Sequence, residues 1–157
     1  MECETMPAVG EVAPDFELKN QDGQTVRLSD FRGKKVVLFA FPKAATSGCT
    51  TQACGLRDNY PRLQTANAIV LGLSPDPPAD LRKWKDDEHL PYDLLSDPDH
   101  HVLEAWGVWG EKSMYGKNYM GVIRSHWIID EEGRIADAQI KVSPTESIER
   151  ATQFLSS

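Results

Sequence analysis

Cys49 and Cys54 are the residues of this chain best suited to covalent chemistry, and their neighbours say which kind. Both lie in the run Phe41-Pro42-Lys43-Ala44-Ala45-Thr46-Ser47-Gly48-Cys49-Thr50-Thr51-Gln52-Ala53-Cys54. The apolar stretch Val36-Val37-Leu38-Phe39-Ala40 just before it predicts a buried strand. From about Ser47 to Gln64 the composition predicts a helix, which puts Cys49 in its first turn. There, unpaired N–H groups and the positive end of the helix dipole favour an anion. For a cysteine that anion is the thiolate, its nucleophilic form. The competing reading is a small buried hydrophobe, a common fate of free cysteines. Thr46, Ser47, Gly48, Thr50, Thr51 and Gln52 are polar or tiny neighbours that suit a reactive thiol better. On local chemistry alone both readings stand.

Cys54 follows five positions later on the same predicted helix. On an ideal helix that spacing means a rotation of about 140° and a rise of about 7.5 Å, hence Cα atoms about 8.6 Å apart. A disulfide rarely tolerates more than about 7 Å. If the two cysteines form a redox pair, the first turns of the helix must unwind in each cycle.

The chain that positions these residues has 157 amino acids, 40% of them hydrophobic, enough for one domain with a substantial core. Net charge is −7, from 24 acidic against 17 basic residues, which argues against nucleic acid or an anionic membrane as a partner. No apolar run approaches the roughly 18 residues of a spanning helix. The acidic start Met1-Glu2-Cys3-Glu4 lacks a signal-peptide layout, so the expected location is cytoplasmic. Three cysteines, an odd count, argue against a structural disulfide framework and for reduced thiols. His89, His100, His101 and His126 show no zinc-ligand spacing, and no metal is expected. His100 and His101 are expected to face solvent.

The order of elements predicts an α/β fold. Residues 1–14 read as lead-in, the first nine of them loose, and Phe16 and Leu18 alternate as in a short strand. Gln21-Asp22-Gly23-Gln24 supplies a turn to a partner strand around Val26 and Leu28, followed by a helical turn over 29–33. After the cysteine helix comes a second buried strand, Ile69 to Ser74, in a parallel crossover. Asp76-Pro77 opens a helix carrying Leu81 and Trp84 inward. Leu94-Leu95 makes a short strand, and Asp97-Pro98 opens a helix through Trp106. Residues 107–119 read as a glycine- and aromatic-bearing loop in which Met114, Tyr115 and Tyr119 either pack over the site or lie on the surface. A strand from Val122 to Asp130, a turn over 131–134 and a return strand from Ile135 to Val142 precede the last helix. Ser143-Pro144-Thr145-Glu146 is a capping box, so that helix begins near Pro144, with Ile148, Ala151 and Phe154 or Leu155 facing the core.

Pro42-x-x-x-Thr46-x-x-Cys49 resembles the peroxidatic-cysteine signature of the peroxiredoxins, and Pro42 to Asp58 resembles the bacterioferritin comigratory protein, or peroxiredoxin Q, subfamily. Similar strings recur at Gly10-x-x-Ala13-Pro14-Asp15-Phe16, Leu28-Ser29-Asp30-Phe31-x-Gly33-Lys34 and Leu95-Ser96-Asp97-x-Asp99-His100. Others are Gly107-Val108-Trp109-Gly110-Glu111-Lys112-Ser113 and Ile123-Arg124-Ser125 leading into Ile128-Ile129-Asp130. The resemblance implies a thioredoxin-like fold, a central mixed β-sheet flanked by helices with an N-terminal β-hairpin, over a single domain of residues 1–157. It implies Cys49 as the peroxidatic and Cys54 as the resolving residue, joined in a disulfide during turnover. Thr46 would hold the peroxide oxygens and the thiolate, Pro42 would shield the pocket from water, and Arg124 would stabilise the thiolate and polarise the peroxide. Read alone, Arg124 is a solvated strand arginine, although a permanently charged fork of donors suits the role. The implied activity is thiol-dependent reduction of hydrogen peroxide and organic hydroperoxides, recycled by thioredoxin, without a bound cofactor and as a monomer. Ser47 stands where many relatives carry proline, Phe41 where many carry tyrosine, and His126-Trp127 where smaller residues or phenylalanine are common. Cys3 has no counterpart.

Two other classes compete. A thioredoxin-type disulfide reductase would want Cys-x-x-Cys, and four residues separate the cysteines here. A non-enzymatic redox sensor or chaperone would use the same disulfide to switch a partner surface.

Overall fold

The computed structural model describes residues 8–114 and 116–156, with Ser47, 112–114, 117–119 and Ser156 described through their backbone alone. The expected N-terminal hairpin is present as β1 (Glu17–Asn20) and β2 (Thr25–Arg27), and one 3-10 turn, Leu28–Phe31, leads into β3 (Lys35–Ala40). There follow α1 (Ser47–Asp58), α2 (Tyr60–Thr65), β4 (Ala68–Ser74), α3 (Pro78–Glu88), β5 (Asp93–Ser96) and α4 (His101–Ala105). The chain closes with β6 (Trp109–Met114), β7 (Lys117–Val122), β8 (Ser125–Ile129), β9 (Ile135–Ile140) and α5 (Pro144–Ser156).

Seven strands form one mixed sheet in the order β2-β1-β5-β4-β3-β8-β9. β4 runs parallel to β3 and β5, while β8 pairs antiparallel with β3 and β9. β3 lies inside this sheet, which is why its sequence is apolar from Val36 to Ala40 instead of alternating. Val36, Leu38 and Ala40 pack into the core on one face with Leu71, Trp106 and Trp127. Val37 and Phe39 pack on the other with Cys49, Leu56, Trp84 and Ile128. The cysteine helix α1 therefore covers the second face.

Several expected boundaries shift. The cysteine helix breaks at Asn59, whose side-chain amide donates to the Gly55 carbonyl at 2.8 Å, just before Pro61, which has no N–H with which to continue the ladder. Helix α3 starts at Pro78, with Pro77 as its cap. Helix α4 spans only His101–Ala105, because His100 sits at φ 49°, in the left-handed region. Residues 107–119 are not a loop: β6 and β7 pair from Trp109↔Val122 to Met114↔Lys117. Neither strand alternates apolar and polar residues, so the periodicity is silent there. The side chains of Met114 and Tyr119, and all of Tyr115 and Cys3, lie outside the described residues. The capping box of α5 forms as expected, the Glu146 N–H donating to Ser143 Oγ and the Ser143 N–H to Glu146 Oε1, each at 3.1 Å. Ala151 is buried and Leu155 packs against the core, while Phe154 is exposed.

Helix α5 presses on α1 at Gly55, where a Cβ would lie 2.1 Å from Ile148 Cδ1 and 2.6 Å from its Cγ1. Alanine normally improves a helix interior by about 1 kcal/mol over glycine. Overpacking costs about 1–3 kcal/mol and opposes that gain here. We expect Gly55→Ala to lower the unfolding free energy by about 1 kcal/mol in urea titrations; a stabilised variant would mean that α1 and α5 have slack between them.

Candidate active site

The antiparallel register of β3 and β8 builds the site. Ala40, the last residue of β3, faces Ser125, the first of β8. The loop that leaves β3 thus begins beside the residue that enters β8, Arg124. The expected strand 122–130 is interrupted here, since Val122 ends β7 and Ser125 starts β8. Arg124 is free of both ladders except that its carbonyl accepts from the Val142 N–H at 2.9 Å. Along β8, side chains alternate between faces, and Arg124, His126 and Ile128 share the face covered by α1 and α5.

From the other side comes the loop 41–46. The Ala44 N–H donates to Asp76 Oδ2 at 2.8 Å, and the Ser74 hydroxyl donates to the same oxygen at 2.9 Å. Ala45 is held at φ 68°, a conformation that costs a non-glycine residue about 1–3 kcal/mol. Pro42 is half-buried in this loop, and Phe41 is wholly buried with its ring 5.0 Å from that of Trp84. Thr46 is the N-cap of α1, yet its hydroxyl donates to the Lys43 carbonyl at 2.8 Å and makes no capping bond. The amides of the first turn are left available, and Cys49 is the third residue of that turn.

Arg124 meets Cys49 there. Its Nη2 lies 3.2 Å from the buried Cys49 Sγ, and its Nη1 donates to Gln52 Oε1 at 2.7 Å. Gly48 admits the guanidinium, for a Cβ at that position would stand 3.2 Å from Arg124 Nη2. Cys54, on the same unbroken helix, donates to Glu88 Oε1 at 3.4 Å, and both cysteines are free thiols. Burial pushes Cys54 above its ordinary range, and the bond to Glu88 pushes the same way. In this state Cys54 is a protonated donor facing away from Cys49. Among the described residues no group of three or more His, Cys, Asp or Glu is placed to hold a metal ion, and no helix is long and apolar enough to cross a membrane.

Residues 9–138 match the AhpC/TSA family. The chain is a peroxiredoxin of that family. It is 51% identical over 126 residues to peroxiredoxin Bcp of Escherichia coli K12, covering 80% of this chain and 81% of the relative. A putative peroxiredoxin of Mycobacterium tuberculosis is 47% identical over 147 residues, 94% of each chain. Among solved structures, a cysteine-to-serine mutant of Xylella fastidiosa PrxQ superposes with a TM-score of 0.90 at 25% identity, over 98% of both chains. The bacterioferritin comigratory protein of Xanthomonas campestris gives 0.87 at 27% identity, over 95% of this chain and 98% of that one. The fold is thioredoxin-like, a central mixed sheet flanked by helices.

In this peroxiredoxin the structure brings Arg124 to Cys49, places Thr46 at the N-cap three residues before that sulfur, and leaves Cys54 bonded to Glu88 on α1. Three residues that the sequence did not single out for the site complete its packing. Gln52 is one helical turn from Cys49, a spacing that sequence could have revealed. Its Nε2 donates to Ser147 Oγ at 2.9 Å, and Ser147 Oγ lies 2.7 Å from His126 Nδ1. Ser147 and His126 come from α5 and β8, and no local signal connects them to Cys49.

Burial lowers His126 from its ordinary 6.5 to about 4, with Asp137 opposing the shift and Arg150 adding to it. The folded state therefore holds a neutral imidazole in the window between those two values, where the unfolded chain binds a proton. Stability from this group is complete above the unfolded value and is lost as pH falls toward the folded one, on the order of 3 kcal/mol in all. Between pH 7 and pH 5, urea unfolding of wild type should lose about 2 kcal/mol more than that of His126→Asn. Equal losses in the two proteins would place the acid sensitivity elsewhere.

Proposed function

We propose that this peroxidase reduces hydrogen peroxide and small organic hydroperoxides through Cys49 and resolves the product with Cys54. The observation that carries the proposal is Arg124 Nη2 at 3.2 Å from Cys49 Sγ, at the uncapped start of α1. A guanidinium and open amides together favour a thiolate at that sulfur and a negative charge on the oxygen leaving it. With its proton engaged by Lys43, the Thr46 oxygen presents lone pairs to a peroxide O–H. The Cys49 thiolate attacks the near oxygen, an S–O bond forms as O–O breaks, and the leaving alkoxide or hydroxide takes up the proton that the thiol gave to solvent. The half-buried Pro42 ring shields the thiolate from water before attack.

Cys49 is now a sulfenic acid. The first turns of α1 then open, which releases Cys54 from Glu88 and lets its sulfur displace water from Cys49 to form a disulfide. A dithiol protein, thioredoxin by chemical class, reduces that disulfide by thiol exchange. Cys49 is buried while α1 is intact. A protein reductant is thereby matched to the opened disulfide, and a narrow peroxide to the closed thiolate.

Trp84 Nε1 donates to Thr50 Oγ1 at 3.3 Å in the first turn of α1, so opening that turn changes an indole environment. Stopped-flow fluorescence of the reduced protein mixed with peroxide should show a peroxide-dependent phase and then a peroxide-independent one. Cys49→Ser should abolish both phases and all peroxide consumption. Cys54→Ser should keep the first phase, lose the second, and consume only about one equivalent of peroxide without added thiols. A second phase surviving in Cys54→Ser would move resolution to another thiol. Arg124→Lys, a point charge in place of a fork, should slow the first phase by about 10- to 100-fold; an unchanged rate would remove Arg124 from the reaction.

A further inference from the structure

Four hydrogen-bonded contacts run from the reactive sulfur into the core, and donor chemistry fixes the direction of the first three. A guanidinium offers donors alone, so the Gln52 atom facing Arg124 at 2.7 Å must be its carbonyl oxygen. That turns the Gln52 amide nitrogen, which can only donate, toward Ser147 Oγ at 2.9 Å. Ser147 then accepts from Gln52, and its second lone pair or its proton meets His126 Nδ1 at 2.7 Å, according to the tautomer of the ring. His126 Nε2 is buried without a hydrogen-bond partner among the described residues, so among them Ser147 is the ring's one hydrogen-bond partner. Gln52, Ser147 and His126 are all buried, so water does not compete for these bonds.

We propose that Ser147 and His126 are positioning residues for the peroxide reaction, the imidazole acting through the Ser147 hydroxyl to fix the Gln52 amide and so to hold the Arg124 guanidinium against Cys49. This rests on the peroxidase reading above. Whichever ring nitrogen carries the proton, Ser147 Oγ keeps a lone pair for the Gln52 amide, so the Gln52 oxygen stays on Arg124. Phe39 and Gln139 flank the imidazole in register on the neighbouring strands, and Asp137 of β9 and Arg150 of α5 are the charges that act on it. Burial also keeps the ring neutral down to about pH 4.

The test uses Cys54→Ser as parent, so that only peroxide attack is read. Adding Ser147→Ala or His126→Leu should slow the peroxide-dependent phase by about 5- to 10-fold, the loss of one held hydrogen bond. Adding His126→Asn, whose side-chain amide can bond Ser147 where Nδ1 did, should restore the rate to within about twofold of the parent. Rates equal to the parent in all three variants, or His126→Asn as slow as His126→Leu, would overturn the proposal. Nitrogen NMR of labelled histidine supplies a readout that does not depend on turnover. At pH 7 the His126 Nδ1 signal should move on Ser147→Ala, and an unmoved signal would overturn the relay even if peroxide is consumed normally. A parent that consumes no peroxide, while the His126 Nδ1 signal responds to Ser147→Ala, would instead count against the peroxidase reading.

Discussion

The structure turns on the contact between Arg124 and Cys49, two residues 75 positions apart in the chain. One arrives at the first turn of a helix and the other in the short gap between two strands. The antiparallel register of β3 and β8 makes them neighbours. A one-residue slip in that register would turn Arg124 to the opposite face of the sheet. The buried apolar pairs Val37↔Ile128 and Leu38↔Trp127 resist such a slip, because it would reverse which side chains face which core. Core packing and chemistry are thus set by the same ladder.

The two helices that frame the site begin in opposite ways. Helix α5 starts with a complete capping box, Ser143 and Glu146 satisfying each other's N–H groups. Helix α1 starts with a threonine whose hydroxyl is turned to the Lys43 carbonyl. Open amides at the start of α1 support an anion and also leave the first turn weakly held. Reactivity and ease of unwinding then share one cause. Further along, α1 is better secured: the Tyr92 hydroxyl donates to the Ala53 carbonyl at 2.7 Å, and Arg57 Nη1 donates to the Glu88 carbonyl at 2.6 Å.

Much of this is legible in the sequence where local rules govern. The hairpin at the N-terminus, the buried runs of β3 and β4 and the capping box of α5 each follow from periodicity or turn chemistry. The β6–β7 hairpin is not legible, because Trp-Gly-Glu-Lys-Ser-Met and Lys-Asn-Tyr-Met-Gly-Val carry no period-two pattern and are held by pairing with each other. At the site, the helix-start position of Cys49 follows from spacing, whereas Arg124 enters through resemblance alone. Gln52 needed only the i, i+3 rule. Ser147 reads as an ordinary residue of a helix start, and its meeting with Gln52 across 95 positions exists only in the folded chain.

Because Cys54 lies on the same unbroken helix as Cys49, the proposed cycle would make that helix a clock. Under the proposed cycle the sulfenic acid persists for as long as α1 takes to open. Every additional bond that holds α1, such as that from Trp84 to Thr50, lengthens that interval. During it a second peroxide can carry Cys49 to the sulfinic acid, from which an ordinary thiol gives no return. The number of cycles a molecule completes before it is lost is then a ratio of two rates, helix opening and a second oxidation. That makes the local stability of α1 a measure of the enzyme's endurance as well as of its shape.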